Sequence, residues 1–178
     1  MLFRSDGRVF AAPLDSDRLF CLDAVSGTVR WEMDGVEIGH LIGTAHGRLY
    51  ATTRDGVMAV DAGSGRIAWS QPTEGKLPSL GRGLIAGGWL FWPTRDAQLP
   101  CRAVTLSHGR QQKDVDTSGE PSFFEPSMFH NLPAGNWAFG QGCLAIAGSS
   151  ELAVFVPNQR QPLDPRSEER RVGKECRL

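Results

Sequence analysis

The side chains best suited to redox work or metal ligation in this 178-residue chain are four cysteines and four histidines. The cysteines are Cys21, Cys101, Cys143 and Cys176; the histidines are His40, His46, His108 and His130. A structural metal site needs paired ligands a few residues apart, and no Cys-x-x-Cys accompanies these histidines. Cys21, Cys101 and Cys143 fall in apolar, strand-like runs, where a thiol acts as a small hydrophobe. Asp23 and Asp61 have the chemistry of general bases, yet each opens an Asp-x-x-Ser-Gly segment. A carboxylate there accepts hydrogen bonds from backbone N–H groups two or three residues on, which makes it a turn cap. Gly63-Ser64-Gly65-Arg66 has the glycines of a phosphate loop, without the Lys-Ser/Thr or the helix that such a loop needs. Trp89, Phe91 and Trp92 could form an aromatic ligand platform or pack between sheets. The sequence thus predicts no catalytic, cofactor-binding or metal-binding residue.

The elements that carry these residues repeat. Leu19 to Trp31 and Val57 to Trp69 align without a gap at an offset of 38, with Asp, Ala, Ser, Gly and Trp in the same places. Upstream of each lies a matching strand signal, Gly7-Arg8-Val9-Phe10-Ala11 and Gly47-Arg48-Leu49-Tyr50-Ala51, at an offset of 40. A degraded third copy runs from Gly88-Trp89-Leu90-Phe91-Trp92 to Ala103 and Gly109, with Thr105 for the aspartate and Lys113 for the tryptophan. A partial fourth copy covers Gly142–Ala147 and Glu151–Val156. Short apolar runs bounded by Gly and Asp read as strands, and four antiparallel strands about every 40 residues describe a propeller blade.

The expected fold is therefore all-β: an open arc of about four antiparallel four-stranded blades, with the first and last incomplete. The blades are expected near 6–34, 38–71, 82–116 and 136–157, about fourteen strands in all. The chain is expected to open inside a blade, a short stub standing where the innermost strand belongs. The last unit is expected to lack its outer hairpin. Residues 114–135, with Pro121, Pro126 and Pro133, read as a long excursion, and its apolar part around Phe123, Phe124, Met128 and Phe129 as a partner-binding or folded-back loop. Asp23, Gly27, Trp31, Asp61, Gly65, Trp69 and Gly109 form the structural repeat motif. Trp31 and Trp69 are expected to anchor one unit to the next.

The pattern A-x-D-x-x-S/T-G-x-x-x-W, carried by Cys21–Trp31 and Ala59–Trp69, resembles the tryptophan-docking repeat of the pyrroloquinoline-quinone-like propeller family. The resemblance covers roughly residues 6–157. It implies either a quinone-dependent dehydrogenase or a non-enzymatic outer-membrane assembly scaffold, because the motif is a staple that both share. The dehydrogenases hold pyrroloquinoline quinone against a disulfide of two adjacent cysteines and bind calcium through Glu, Asn and Asp. No two cysteines are adjacent here. The expected function is a non-catalytic scaffold for protein–protein interaction, similar to the BamB branch, without a cofactor; quinone and calcium belong to the dehydrogenase alternative. The implied location is periplasmic or otherwise in the cell envelope, and the implied partners are proteins and the remaining blades of a parent chain. A WD40-type propeller is disfavoured, since its Gly-His and Trp-Asp pairs are missing.

Composition agrees with a folded, β-rich chain. Gly 21 and Pro 11 punctuate it every five or six residues, which suits turns better than helices. Lys+Arg 19 against Asp+Glu 20 gives a net charge of -1, so no global basic field recruits nucleic acid or anionic lipid. No apolar run approaches the roughly 20 residues of a membrane helix, so no membrane insertion is expected from this segment, and its first residues lack a signal peptide's apolar centre. Residues 166–177 resemble the frame translation of a common short-read sequencing adapter. They are expected to be non-native, within a disordered tail at 158–178 that packs against nothing.

Overall fold

The computed structural model describes residues 1–72, 79–94, 101–109 and 135–156, together with the backbone of Cys176–Arg177. The described secondary structure is all strand, arranged as four antiparallel sheets in chain order. Sheet 1 is β1 (Leu2–Ser5), β2 (Arg8–Ala11), β3 (Leu19–Asp23) and β4 (Val29–Met33). Sheet 2 is β5 (Ile38–Ala45), β6 (Arg48–Thr53), β7 (Gly56–Asp61) and β8 (Ile67–Pro72). Sheet 3 has three described strands, β9 (Leu84–Ala86), β10 (Trp89–Pro93) and β11 (Cys101–Thr105). Sheet 4 is β12 (Asn136–Gly140), β13 (Cys143–Ala147), β14 (Leu152–Phe155) and β15 (Cys176–Arg177).

Each sheet is a meander, and its tightest hairpins explain why. Asp6-Gly7, His46-Gly47, Gly87-Gly88 and Gln141-Gly142 all have positive φ at both central positions. That backbone twist matches the twist of paired strands and pins their register. Middle strands such as β7 are buried on both faces, which accounts for their unbroken apolar runs.

The sheets stack face to face over three cores. Phe10, Leu19 and Cys21 of sheet 1 meet Leu41, Leu49, Ala51, Met58 and Val60 of sheet 2. Ile42, Tyr50, Val57 and Ala59 on the opposite face of sheet 2 meet Leu90, Trp92 and Val104 of sheet 3. Phe91 of sheet 3 meets Trp137 and Ile146 of sheet 4. Fully burying one Leu, Val or Phe is worth about 1.5–3 kcal/mol, so these cores hold the stack together. Among the described residues none of the three cores joins sheet 1 to sheet 4, and the stack is an open arc.

The first strands of the four sheets lie next to one another in succession. Thr44 Oγ1 on β5 donates to Ser5 Oγ on β1 at 2.8 Å. Arg82, just before β9, reaches in several directions. Its guanidinium donates to Ile42 O of β5 at 2.9 Å and lies 5.6 Å over the Phe3 ring of β1. Its own N–H donates to Asn136 Oδ1, and its carbonyl accepts from Trp137 N of β12.

Two sequence expectations need correction. The first blade is complete in its strands, because Leu2–Ser5 supplies the innermost one, paired Leu2↔Ala11 through Ser5↔Arg8. Four alternating residues suffice when the Asp6-Gly7 hairpin fixes the partner. The tail does not stand wholly clear of the fold: the backbone of Cys176–Arg177 pairs with β14 through Ala153↔Arg177 and Val154↔Cys176. An open strand edge accepts any extended backbone, whatever its origin. The excursion at 114–135 and its apolar loop lie outside the described residues.

Candidate functional site

The repeat motif builds the joints between sheets. In sheet 1, Asp23 Oδ1 accepts from Val25 N at 3.0 Å and Ser26 N at 2.9 Å, while Arg30 Nη2 donates to Asp23 Oδ2. These bonds hold the Asp23 carboxyl below the usual carboxylate range, the guanidinium contributing most. In sheet 2, Asp61 Oδ1 accepts from Ser64 N and Ser64 Oγ, each at 2.8 Å, and from Gly63 N at 3.1 Å. Its carboxyl is likewise lowered, chiefly by Ser64. Both carboxylates are thus engaged in turns. The turn is closed by Gly27 N to Asp23 O, Gly65 N to Asp61 O and Gly109 N to Thr105 O, all at 2.9 Å. Gly27, Gly65 and Gly109 have φ of +73, +74 and +67.

Each tryptophan then docks on the turn of the following sheet. Trp31 Nε1 donates to Ala62 O at 3.1 Å, and the Trp31 ring lies where a Cβ on Gly65 would meet it at 2.8 Å. Trp69 Nε1 donates to Leu106 O at 3.0 Å, and its ring would meet a Cβ on Gly109 at 2.6 Å. Glycine is required at both positions twice over, by its φ and by the indole lying against it. Phe10 packs against Trp31 and Tyr50 against Trp69, each with ring centroids 6.0 Å apart. Both indoles lie between sheets and are half-buried.

The second joint is richer in polar contacts. Leu106 O also receives the Tyr50 hydroxyl at 3.2 Å and Arg48 Nη1 at 3.3 Å, and Arg48 Nη1 reaches Ser107 O at 2.9 Å. The acceptors Ala62 O and Leu106 O are backbone atoms, which no side-chain motif announces.

Other sequence candidates are scattered. Phe91, with Trp89 packed against its core, and Trp92 face opposite sides of sheet 3, so the three do not share one platform. Gly63 to Arg66 is the turn that receives Trp31. His46 sits in a hairpin, His108 is exposed, and His130 lies outside the described residues. His40 of β5 is half-buried, and burial together with the Arg82 guanidinium pushes its imidazole below the ordinary value. Among the described residues no three His, Cys, Asp or Glu side chains are grouped to hold a metal. Cys21 is fully buried in the first core, and burial pushes the Cys101 thiol up to about 12. With Cys21 on β3, Cys101 on β11 and Cys143 on β13, these thiols do not fit a clamp of adjacent cysteines.

The family model described as outer membrane protein assembly factor BamB matches residues 2–160. Among solved structures, BamB from Moraxella catarrhalis is similar at a TM-score of 0.52 and 15% identity, over 84% of this chain and 42% of that one. A europium-containing methanol dehydrogenase is similar at a TM-score of 0.57 and 12% identity, over 83% of this chain and 35% of that one. Quinohemoprotein alcohol dehydrogenase ADHIIG from Pseudomonas putida HK5 follows at 0.56 and 16%, over 85% and 28%. At such identities the likeness is one of fold, and the chain spans less than half the length of each of these three structures. A search of curated proteins returns no match. With four stacked antiparallel sheets, tryptophan joints between the first three and a family match across residues 2–160, the chain belongs to the BamB outer-membrane assembly factor family of pyrroloquinoline-quinone-like β-propellers.

Proposed function

We propose that this chain is part of a non-catalytic propeller scaffold that presents its surface to other proteins of the cell envelope. The observation that carries this reading is the match to the assembly-factor family across residues 2–160. The geometry of the repeat supports it. Its carboxylates cap turns, its indoles bind neighbouring sheets, and its glycines make room for them, so the motif's chemistry is engaged in adhesion. The reading needs no cofactor, and its partners are proteins of the outer-membrane assembly process that the family description names. It places the chain in the periplasm or at the outer membrane; among the described residues no helix is long and apolar enough to cross a membrane.

A second reading, a piece of a quinone-dependent dehydrogenase, is favoured by one observation, the likeness of fold to the two dehydrogenases. One pair of measurements separates the two. The purified chain is titrated with purified outer-membrane assembly proteins, and separately supplied with pyrroloquinoline quinone, calcium, an alcohol and a dye acceptor. Saturable protein binding without dye reduction is the expected result. Dye reduction above the protein-free control would overturn the scaffold reading in favour of the dehydrogenase.

A further inference from the structure

The first strands carry one titratable ring that the repeat motif does not use. His40 of β5 lies opposite Thr52 of β6. Thr52 follows Tyr50 by two residues, so both point to the face of sheet 2 that meets sheet 3. The imidazole is half-buried, and its Nδ1 is enclosed without a hydrogen-bond partner among the described residues. Thr52 is fully buried, and its Oγ1 is unpartnered in the same way. A neutral imidazole can leave one nitrogen as a bare acceptor, whereas an imidazolium has two N–H donors and a charge to place.

The charges that face this ring are of one sign. The described residues of sheet 3 and its lead-in, 79–94 and 101–109, include Arg82, Arg102 and His108 and not one Asp or Glu. Arg102 stands opposite Trp92 and shares the face that meets sheet 2, while His108 is exposed at the turn end. β5 has no other titratable residue, and β1 beside it adds only the exposed Arg4. β6 adds Arg48 and Tyr50, both bonded to Leu106 O at the far end of the strand. Glu37, just before β5, is exposed and paired with Arg54. Burial and the Arg82 guanidinium together hold the imidazole below its ordinary value.

Arg82 is also the residue that gathers the first strands, through Ile42 O, the Phe3 ring, Asn136 Oδ1 and Trp137 N. We infer that His40 and Arg82 form an acid-sensitive latch: a proton taken up on His40 sets two cations against each other and releases Arg82 from the seam of first strands. The imidazole binds its proton more weakly with the seam closed than with it open. The seam therefore holds above the ordinary histidine value of about 6.5 and loosens as pH falls below it. The latch stands on the packing of sheet 2 against sheet 3 and does not depend on the scaffold reading.

The test is amide hydrogen exchange on the full, isotopically labelled chain. The Arg82 and Trp137 amides, bonded to Asn136 Oδ1 and Arg82 O, report the seam, and the amides of β7 report the middle of sheet 2. Corrected for the intrinsic rate at each pH, seam protection should fall about tenfold between about pH 7.5 and about pH 5.5, the factor set by an open-state imidazole of about 6.5. Protection in β7 should stay constant. His40→Gln should abolish the fall. His46→Asn and His108→Gln, at exposed histidines, should leave it in place. The His40 ring signals of the unsubstituted chain should titrate below about 6.5, a measurement that needs no variant to fold. The proposal is overturned if His40 titrates at or above that value, if seam protection does not fall, or if His40→Gln keeps the fall. A parallel loss in β7 would also overturn it, by making the acid effect a general one.

Discussion

The joint between sheets 1 and 2 and the joint between sheets 2 and 3 share a plan and differ in polar detail. In both, an indole lies flat on a left-handed glycine and an aromatic ring from the preceding sheet backs it. At the first joint the backing ring is Phe10, and Ala62 O takes the Trp31 N–H as its one described side-chain donor. At the second the backing ring is Tyr50, and Leu106 O takes three donors, from Trp69, Tyr50 and Arg48. The apolar fit is thus the invariant of the repeat, while the polar network was elaborated at one joint only. Removing a ring should hurt both joints alike; removing an N–H should hurt them unequally.

The largest effects should come from the rings. Trp31→Ala and Trp69→Ala should each cost about 3 kcal/mol, the low end for a large aromatic truncation because both indoles are half-buried. Denaturant unfolding of the full chain measures this, and a change under 1 kcal/mol, the scale of an ordinary surface substitution, would break the common plan.

Next come the glycines. Gly65→Ala and Gly109→Ala force a Cβ into an indole and a strained φ, whereas Gly27→Ala meets the strain alone. The first two should exceed the third by about 1–2 kcal/mol, the usual scale of overpacking. Equal losses at all three would mean that the rings do not press on the turns.

The asymmetry itself is read from Trp→Phe changes, which keep a ring and delete the N–H. Trp31→Phe leaves the buried Ala62 carbonyl without its indole donor and should cost about 1 kcal/mol more than Trp69→Phe, after which Leu106 O keeps Tyr50 and Arg48. Unfolding of the two variants side by side checks the order, and the reverse order would refute the asymmetry.

The smallest effect concerns acid. Asp23 and Asp61 have carboxyls lowered by their turn bonds, so their contribution is present above the ordinary carboxylate pKa and is lost as pH falls toward the depressed folded values. Asp23→Asn and Asp61→Asn should therefore flatten the fall of melting temperature below about pH 4 while changing its slope little near pH 7. An unchanged acid limb would show that the turn bonds do not persist in solution.

Much of this arrangement was legible in the residues. The Asp-x-x-Ser-Gly-x-x-x-Trp spacing located both tryptophan joints, and Gly109 remained recognisable after the third copy had lost its aspartate to Thr105. Leu2–Ser5 was missed because four residues of mixed polarity carry too weak a period; the Asp6-Gly7 hairpin, and not hydrophobicity, makes them a strand. The landing points of the indoles were invisible for a different reason. Ala62 and Leu106 act through backbone carbonyls, and a carbonyl has no letter of its own. The pairing of Cys176–Arg177 was equally unforeseeable, since it depends on an edge left open by β14 and not on what the tail encodes.

Arg82 bears on how this protein comes together in time. Sheets that touched only their neighbours could form and come apart one by one, each closing loops of a few tens of residues. Arg82 draws on Phe3, Ile42 and Asn136, partners from 40 to 79 positions away along the chain. The full set of these contacts is complete only when all four first strands have met, so it is expected to be completed late in folding. Once complete, it ties the first strands of all four sheets to one residue.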